Sequence, residues 1–140
     1  MELLHKGYTL KLSNNAFPLS TDSVALSGFA RLPKNAAVLD LGSGCGTLGL
    51  LLCSQNKTCR VTGVELSECD HQMALQNAAD NHIEHRLTSI CADLCTIPSL
   101  LKSGSFDCCI SNPPYFSGGP ASKATPTARR DDLCSMDDLM

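Results

Sequence analysis

Apolar positions along this chain follow two rhythms in turn. Short, mostly apolar runs at Ala36–Leu41, Arg60–Glu65, Arg86–Cys91 and Ser105–Ser111 read as strands. Helical patterns lie between them. From Thr47 to Ser54, Leu48, Leu50, Leu51 and Leu52 make the helix apolar nearly all round, the mark of a buried element. Ser67, with Asp70 three residues on, reads as a capping box that opens a helix running to about Asn81. Pro98 to Lys102 reads as a helical turn. Ahead of all these, the alternation Tyr8-Thr9-Leu10-Lys11-Leu12 predicts a small strand, and Ser13-Asn14-Asn15 a turn. Ser20-Thr21-Asp22 supplies N-cap residues for a short helix through Val24–Ala30 that Arg31-Leu32-Pro33 ends. Strands alternating with helices predict an α/β domain, Rossmann-like, with an open, mostly parallel sheet. After Tyr115 the chain loosens, with Ser117–Thr127 rich in Gly, Pro, Ser and Ala, and then Leu133, Met136 and Leu139 recur at helical spacing. That helix has no C-cap before the chain stops. The sheet is therefore expected to be incomplete, with its C-terminal strands missing and its fourth strand left as an edge. Residues 1–35 read as an arm and helix, and 36–140 as the sheet domain.

The chain is organised around Val38–Gly46, which reads VLDLGSGCG. An apolar run stopped by glycine and followed by a helical pattern opens a βα unit. Gly42, Gly44 and Gly46 allow positive φ and let a ligand lie against bare backbone. Asp40 is an unusual residue for a buried strand, and a ligand at the strand end would account for it. Gly44 to Gly49 matches the dinucleotide pattern G-x-G-x-x-G, but in that register Asp40 and Gly42 fall inside the strand. Taken from Gly42, the pattern is D-x-G-x-G-x-G. It resembles the cofactor loop of the class I S-adenosylmethionine-dependent methyltransferases.

The totals narrow the field. A chain of 140 residues reads as one domain, or part of one. A net charge of −3 leaves no chain-wide nucleic-acid footprint, so RNA contact would have to come from local clusters. Lys123, Arg129 and Arg130 flank the loop after Tyr115 and, with Lys6 and Lys11, could meet phosphates. Ordinary surface charge is the plain alternative, since Asp131 and Asp132 follow at once. No apolar run reaches the ~18 residues of a membrane span, and the N-terminus lacks a signal-peptide core, so no membrane association and a cytoplasmic location are expected. Nine cysteines with no C-x-x-C spacing read as free, mostly buried thiols. Cys69, His71, His82 and His85 fit no usual ligand spacing; no metal is expected, and His82 and His85 read as residues of a helix end. Nothing in the sequence sets an oligomeric state.

In open parallel sheets ligands bind outside the carboxyl ends of the strands. The four strands here end in Asp40 with the glycines, Glu65, Asp93 and Asn112-Pro113-Pro114-Tyr115. Each alone is an ordinary turn residue; four polar ends on one rim are a candidate site. Glu65 lies about 20 residues past Gly46, the spacing at which a carboxylate meets ribose hydroxyls in nucleotide-binding α/β folds. Asp93 could accept from the amino group of an adenine. The two prolines remove two backbone donors and stop the strand, holding Asn112 extended and aiming its oxygen and the Pro113 carbonyl. The plain alternative is a rigid turn with an aromatic plug.

The tetrad Asn112-Pro113-Pro114-Tyr115 resembles the signature of methyltransferases that act on a planar –NH2 group. The resemblance implies that Asn112 and the Pro113 carbonyl accept hydrogen bonds from the target amine, and that Tyr115 stacks on its flat face. It also implies S-adenosyl-L-methionine as cofactor, held by Asp22, Asp40, Gly42, Gly44, Gly46, Glu65 and Asp93, with Asn112 closing the same rim. The longer string Ser111–Phe116, with Ala128-Arg129-Arg130 beyond, resembles the bacterial methyltransferases of the adenine beside the anticodon of valine tRNA. Ser20–Leu26, with Asp22, resembles their segment bordering the cofactor's methionine end. A tRNA substrate and adenine-N6 methylation are what this implies. Glutamine-N5 methylation of release factors, guanine-N2 methylation of ribosomal RNA and an inactive cofactor- or RNA-binding fragment are the alternatives. Release-factor enzymes usually carry a helical domain ahead of the Gly loop, and few residues precede Val38 here.

Overall fold

The computed structural model describes residues 2–4, 7–14, 16, 18–96 and 104–112. Strands β1 (Glu2–Leu3) and β2 (Thr9–Leu10) pair antiparallel. They are followed by α1 (Thr21–Phe29), β3 (Ala37–Leu41), α2 (Thr47–Gln55), β4 (Arg60–Glu65), α3 (Glu68–Asp80), β5 (Leu87–Cys91) and β6 (Cys108–Ser111). Strands β3 to β6 form one parallel sheet in the order β5-β4-β3-β6. The fold is α/β with a Rossmann-like open parallel sheet, as the alternation of patterns predicts. The chain reverses its direction across the sheet between β3 and β6, so the topological switch point, where such sheets bind ligands, lies at the ends of these two strands.

Register builds the core. Val38, Val61 and Leu87 lie in one row across β3, β4 and β5, and all three are buried in the same cluster as Leu50, Leu51 and Leu52 of α2 and Ala78 of α3. The next row on that face is Ser89, Gly63, Asp40 and Ile110. On the opposite face, Thr88 and Cys109 are exposed. The N-terminal arm belongs to the core as well, through Leu4 and Leu10.

Four expectations are corrected. The arm forms only a two-residue strand, because beyond Leu10 its backbone is bonded by side chains of α3. The fourth strand begins at Cys108, three residues late, because Asp107 closes its end by side chain: Oδ2 accepts from Ala37 N at 2.9 Å and Asp107 N donates to Ala37 O at 2.8 Å. The capping box is half made. Ser67 Oγ accepts from Asp70 N, but Ser67 N donates to Glu65, and Asp70 receives Ser13 Oγ. The eight described cysteines are free, but only Cys45, Cys53 and Cys59 are buried, while Cys69, Cys91 and Cys109 are exposed. The helical turn at Pro98–Lys102, the loop after Tyr115 and the C-terminal helix lie outside the described residues. No helix among the described residues is long and apolar enough to cross a membrane.

Candidate active site

The loop after β3 is laid on the end of β4 by its own backbone. Gly42 N and Ser43 N both donate to Val64 O, at 2.9 and 3.1 Å. Gly42, Gly44 and Gly46 have φ of 69°, 57° and 86°, a left-handed path that residues with a Cβ rarely take. Gly46 then serves as the N-cap of α2 without any side-chain bond. Beneath the loop, Gly63 leaves room for Ser43: a Cβ there would stand 2.4 Å from Ser43 Oγ.

Glu65, the last residue of β4, clasps the loop. Its Oε2 accepts from Gly44 N at 2.7 Å and its Oε1 from Ser67 N at 3.1 Å, so one carboxylate joins the glycine turn to the start of α3. It is 7% exposed, and burial pushes its carboxyl above the ordinary range. The two oxygens together keep lone-pair capacity for a further donor. Asp40 lies deeper, at 1% exposure, with Oδ1 lacking any hydrogen-bond partner. Burial, then the nearby Glu65 charge, pushes its carboxyl from 3.8 to about 8. Ser43 Oγ is likewise buried and unpartnered. Orphaned polar atoms under a glycine turn are unusual in a finished interior and suit a site that takes a polar ligand.

The Asp40 shift has a measurable consequence. Between 3.8 and about 8 the folded form holds a proton that the unfolded chain releases, so stability falls as pH rises through that window and levels off above it. The raised Glu65 contributes with the same sign. Asp40→Asn keeps the shape without the titration. The urea midpoint of the variant should fall less than that of the native chain between pH 5 and pH 8; equal falls would show that Asp40 is not the group responsible.

The other predicted residues are placed as follows. Asn112 follows β6, which is fastened to β3 at its end by Ser111 Oγ donating to Leu41 O at 3.0 Å. Its Nδ2 donates to Ser23 Oγ at 3.1 Å, which brings the first turn of α1 to the switch point. Asp22 is exposed in that same turn. Asp93 stands beyond β5, joined to the rim through Ala92 N donating to Glu65 O at 3.0 Å; its Oδ1 accepts from Cys95 N and opens a 3-10 turn. Asp40 and the glycines thus belong to the central strand β3 and its end, Glu65 ends the neighbouring strand β4, Asn112 lies one strand to the other side after β6, and Asp93 stands beyond β5, two strands from β3. Pro113 and Tyr115 lie outside the described residues, as do Lys123, Arg129 and Arg130. Among the described residues no three His, Cys, Asp or Glu gather as a metal group.

Charge divides along the strands. Lys57, Arg60, His85 and Arg86 line a cleft of about 520 Å³ at the amino ends, while Asp40, Glu65, Asp70 and Asp93 lie toward the carboxyl ends. The glycine turn therefore has carboxylates about it instead of the cations that a pyrophosphate would call for.

Residues 23–128 match the family of the methyltransferase small domain. The chain belongs to that family. Among curated members, it is 36% identical to the tRNA1(Val) (adenine(37)-N6)-methyltransferase of Shewanella halifaxensis (strain HAW-EB4), over 95% of this chain and 56% of that one. It is 30% identical to the protein of the same name from Flavobacteriaceae bacterium (strain 3519-10), over 91% of this chain and 54% of that one. The chain spans a little over half the length of these relatives. Among solved structures, it resembles a SAM-dependent methyltransferase from Thiobacillus denitrificans in complex with S-adenosyl-L-homocysteine, with a TM-score of 0.57, 24% identity, and 68% and 37% of the two chains covered. Geranyl diphosphate C-methyltransferase from Streptomyces coelicolor A3(2) gives a TM-score of 0.59 at 18% identity, with 66% and 34% covered. These structural likenesses speak for the fold.

In this methyltransferase small domain, several supporting residues escape the sequence reading. Asn77, 0% exposed, takes Lys11 N on Oδ1 at 2.9 Å and gives Nδ2 to Lys11 O and Cys45 O, both at 2.9 Å. One turn on, Asn81 repeats the embrace on Thr9, with Oδ1 from Thr9 N and Nδ2 to Thr9 O, each at 2.8 Å. Helix α3 and its C-cap Asn81 thus offer amides where a sheet would offer a neighbouring strand, and Asn77 ties the arm to the glycine turn. An i, i+4 pair of Asn on a helix was the available signal. Asn77→Ala leaves three backbone groups without their partner, Cys45 O buried and Lys11 N and O half-buried, and should cost about 2–4 kcal/mol of stability. The arm amides should also exchange faster with solvent; unchanged protection at Thr9–Ser13 would refute the tie.

Proposed function

We propose that this chain is the cofactor-binding part of an S-adenosylmethionine-dependent methyltransferase that acts on the N6 amino group of an adenine in tRNA, the adenine beside the anticodon of valine tRNA. The observation that carries the reading is the meeting of the Glu65-clasped glycine turn and Asn112 at the switch point of the sheet. The names of the curated relatives support the substrate, and work on tRNA goes with a cytoplasmic location.

The donor set fits the cofactor. Glu65 and Asp93 are acceptors for hydroxyl and amino groups, the buried Asp40 carboxyl, which holds its proton to about 8, can donate as well as accept, and the turn presents bare backbone. Gly42, Gly44 and Gly46 would lie against the cofactor, Glu65 would take ribose hydroxyls on its spare lone pairs, Asp93 the adenine amino group, and Asp22 the methionine end. Residues 1–35 cap this site and 36–140 carry it. Bound S-adenosylmethionine supplies an electrophilic methyl group.

The protein's part is positioning and polarisation. The lone pair of an exocyclic amine is drawn into its ring. Asn112 and the Pro113 carbonyl, accepting the two amine hydrogens, would turn it back toward the methyl carbon. The bound cofactor would supply the methyl group and its sulfur would keep the bonding electron pair, while the surplus amine proton would leave to water. Tyr115 would hold the base flat, unstacked from the RNA.

Labelled S-adenosylmethionine offered to tRNA, ribosomal RNA and release factor side by side tests the reading. Label on N6 of the anticodon-adjacent adenine is the expected result. Label on glutamine N5 or guanine N2 would transfer the assignment, and no label anywhere would leave a binding module.

A further inference from the structure

We propose that Ser23 is a positioning residue for Asn112, setting which atom of its amide faces the amine to be methylated; this rests on the reading just given. Ser23 and Asn112 are 89 residues apart in sequence, yet Asn112 Nδ2 donates to Ser23 Oγ at 3.1 Å. Ser23 is buried in the first turn of α1. Ser20, the N-cap, accepts from Ser23 N at 3.1 Å, and the two hydroxyl oxygens are also 3.1 Å apart. A serine hydroxyl has one proton and two lone pairs. In the proposed arrangement Ser23 is the donor of the Ser20–Ser23 hydroxyl pair, which leaves Ser23 Oγ lone pairs alone to offer Asn112, and these match the amide nitrogen. The opposite flip would set the Asn112 oxygen against them.

The polarity matters because both ends of an asparagine amide fit the same space, and its last torsion is soft. With Nδ2 held toward α1, Oδ1 takes the other branch of the amide. An oxygen accepts from an –NH2 group; a misplaced Nδ2 would put donor against donor. Ser23 thereby decides whether Asn112 polarises the amine or repels it, and the helix N-cap becomes part of the catalytic apparatus without touching substrate.

Ser23→Ala removes the hydroxyl but keeps the backbone N–H that Ser20 caps, so the fold should stand. In a full-length chain, kcat should fall about tenfold, the loss of one orienting hydrogen bond. Cofactor affinity measured by titration should stay within about twofold, since no cofactor contact is removed. Ser23→Thr, which restores a hydroxyl, should recover most of the rate. In an Asn112→Ala background, Ser23→Ala should cost nothing more. A native rate in Ser23→Ala, or an equal loss in Ser23→Thr, would overturn the proposal. A second readout needs no turnover. The Asn112 side-chain NH2 hydrogens should exchange slowly in the native chain and in Ser23→Thr, and fast in Ser23→Ala; identical exchange in all three would overturn it. Absence of methyl transfer by the native chain would instead sink the proposed function, and the exchange comparison would still decide the role of Ser23.

Discussion

Asn112→Ala is expected to lower methyl transfer by on the order of 100-fold, the scale on which removing one preorganised polar contact to a reacting group acts. Binding of S-adenosylmethionine should change by no more than about twofold. The split follows from where Asn112 sits. It comes after β6, one strand across from the glycine turn, while the turn is held by Val64 O and Glu65. Removing its side chain takes an acceptor from the target amine and leaves the cofactor cradle as it was. Asn112→Asp is the sharper partner variant. It keeps an acceptor but loses the Nδ2 donor to Ser23, so it should keep more activity than alanine and less than asparagine. Single-turnover rates with saturating cofactor, set beside calorimetric titration, measure both quantities. A fall in affinity equal to the fall in rate would make Asn112 a cofactor ligand, and a retained rate would remove it from the mechanism.

The sheet was legible because its signals are local. The β-rich run Arg60-Val61-Thr62-Gly63-Val64-Glu65 lies between two helical patterns and is closed by the N-cap Ser67, so Arg60–Glu65 could be bounded to the residue. The same holds for the rim, because the sequence position of a strand end fixes its place in space once the strands are parallel. What escaped depends on residues far apart in the chain meeting side by side. Asn77 reads as one more polar residue of a helix; only the path of the arm makes it a clasp for Lys11 and Cys45. Asp70 looked like half of a capping box until Ser13 took its carboxylate. Glu65 was found by its spacing from Gly46 and assigned to a ligand. Spacing carries no information on the two backbone amides it already serves, and those make it part of the loop as well as a candidate contact.

That double duty makes Glu65→Ala the substitution with the largest expected effect on cofactor binding. Two backbone amides, Gly44 N and Ser67 N, lose their acceptor at once. Bonds to a charged acceptor are the stronger kind, and a donor left unpaired in a buried place costs about 1–3 kcal/mol. The glycine turn would then sample other paths, and a ligand that needs the native path must select it from among them. Affinity falls by the fraction lost. Loss of the ribose acceptor adds to this, so the dissociation constant for S-adenosylmethionine should rise by roughly 100-fold or more. The effect on stability should be smaller than these bonds suggest, because the change also removes a buried charge facing Asp40. Glu65→Gln separates the two contributions. It keeps the length and one carbonyl acceptor but turns an NH2 group toward one of the two amides, so it should bind cofactor better than alanine and worse than glutamate. Without the Glu65 charge the Asp40 carboxyl should also release its proton at lower pH, moving the fall in stability with pH to a more acid range. Titration calorimetry and urea midpoints at pH 5 to 8 follow both effects. An unchanged cofactor titration in Glu65→Ala would mean that the turn needs no clasp and that the cofactor, if it binds, lies elsewhere.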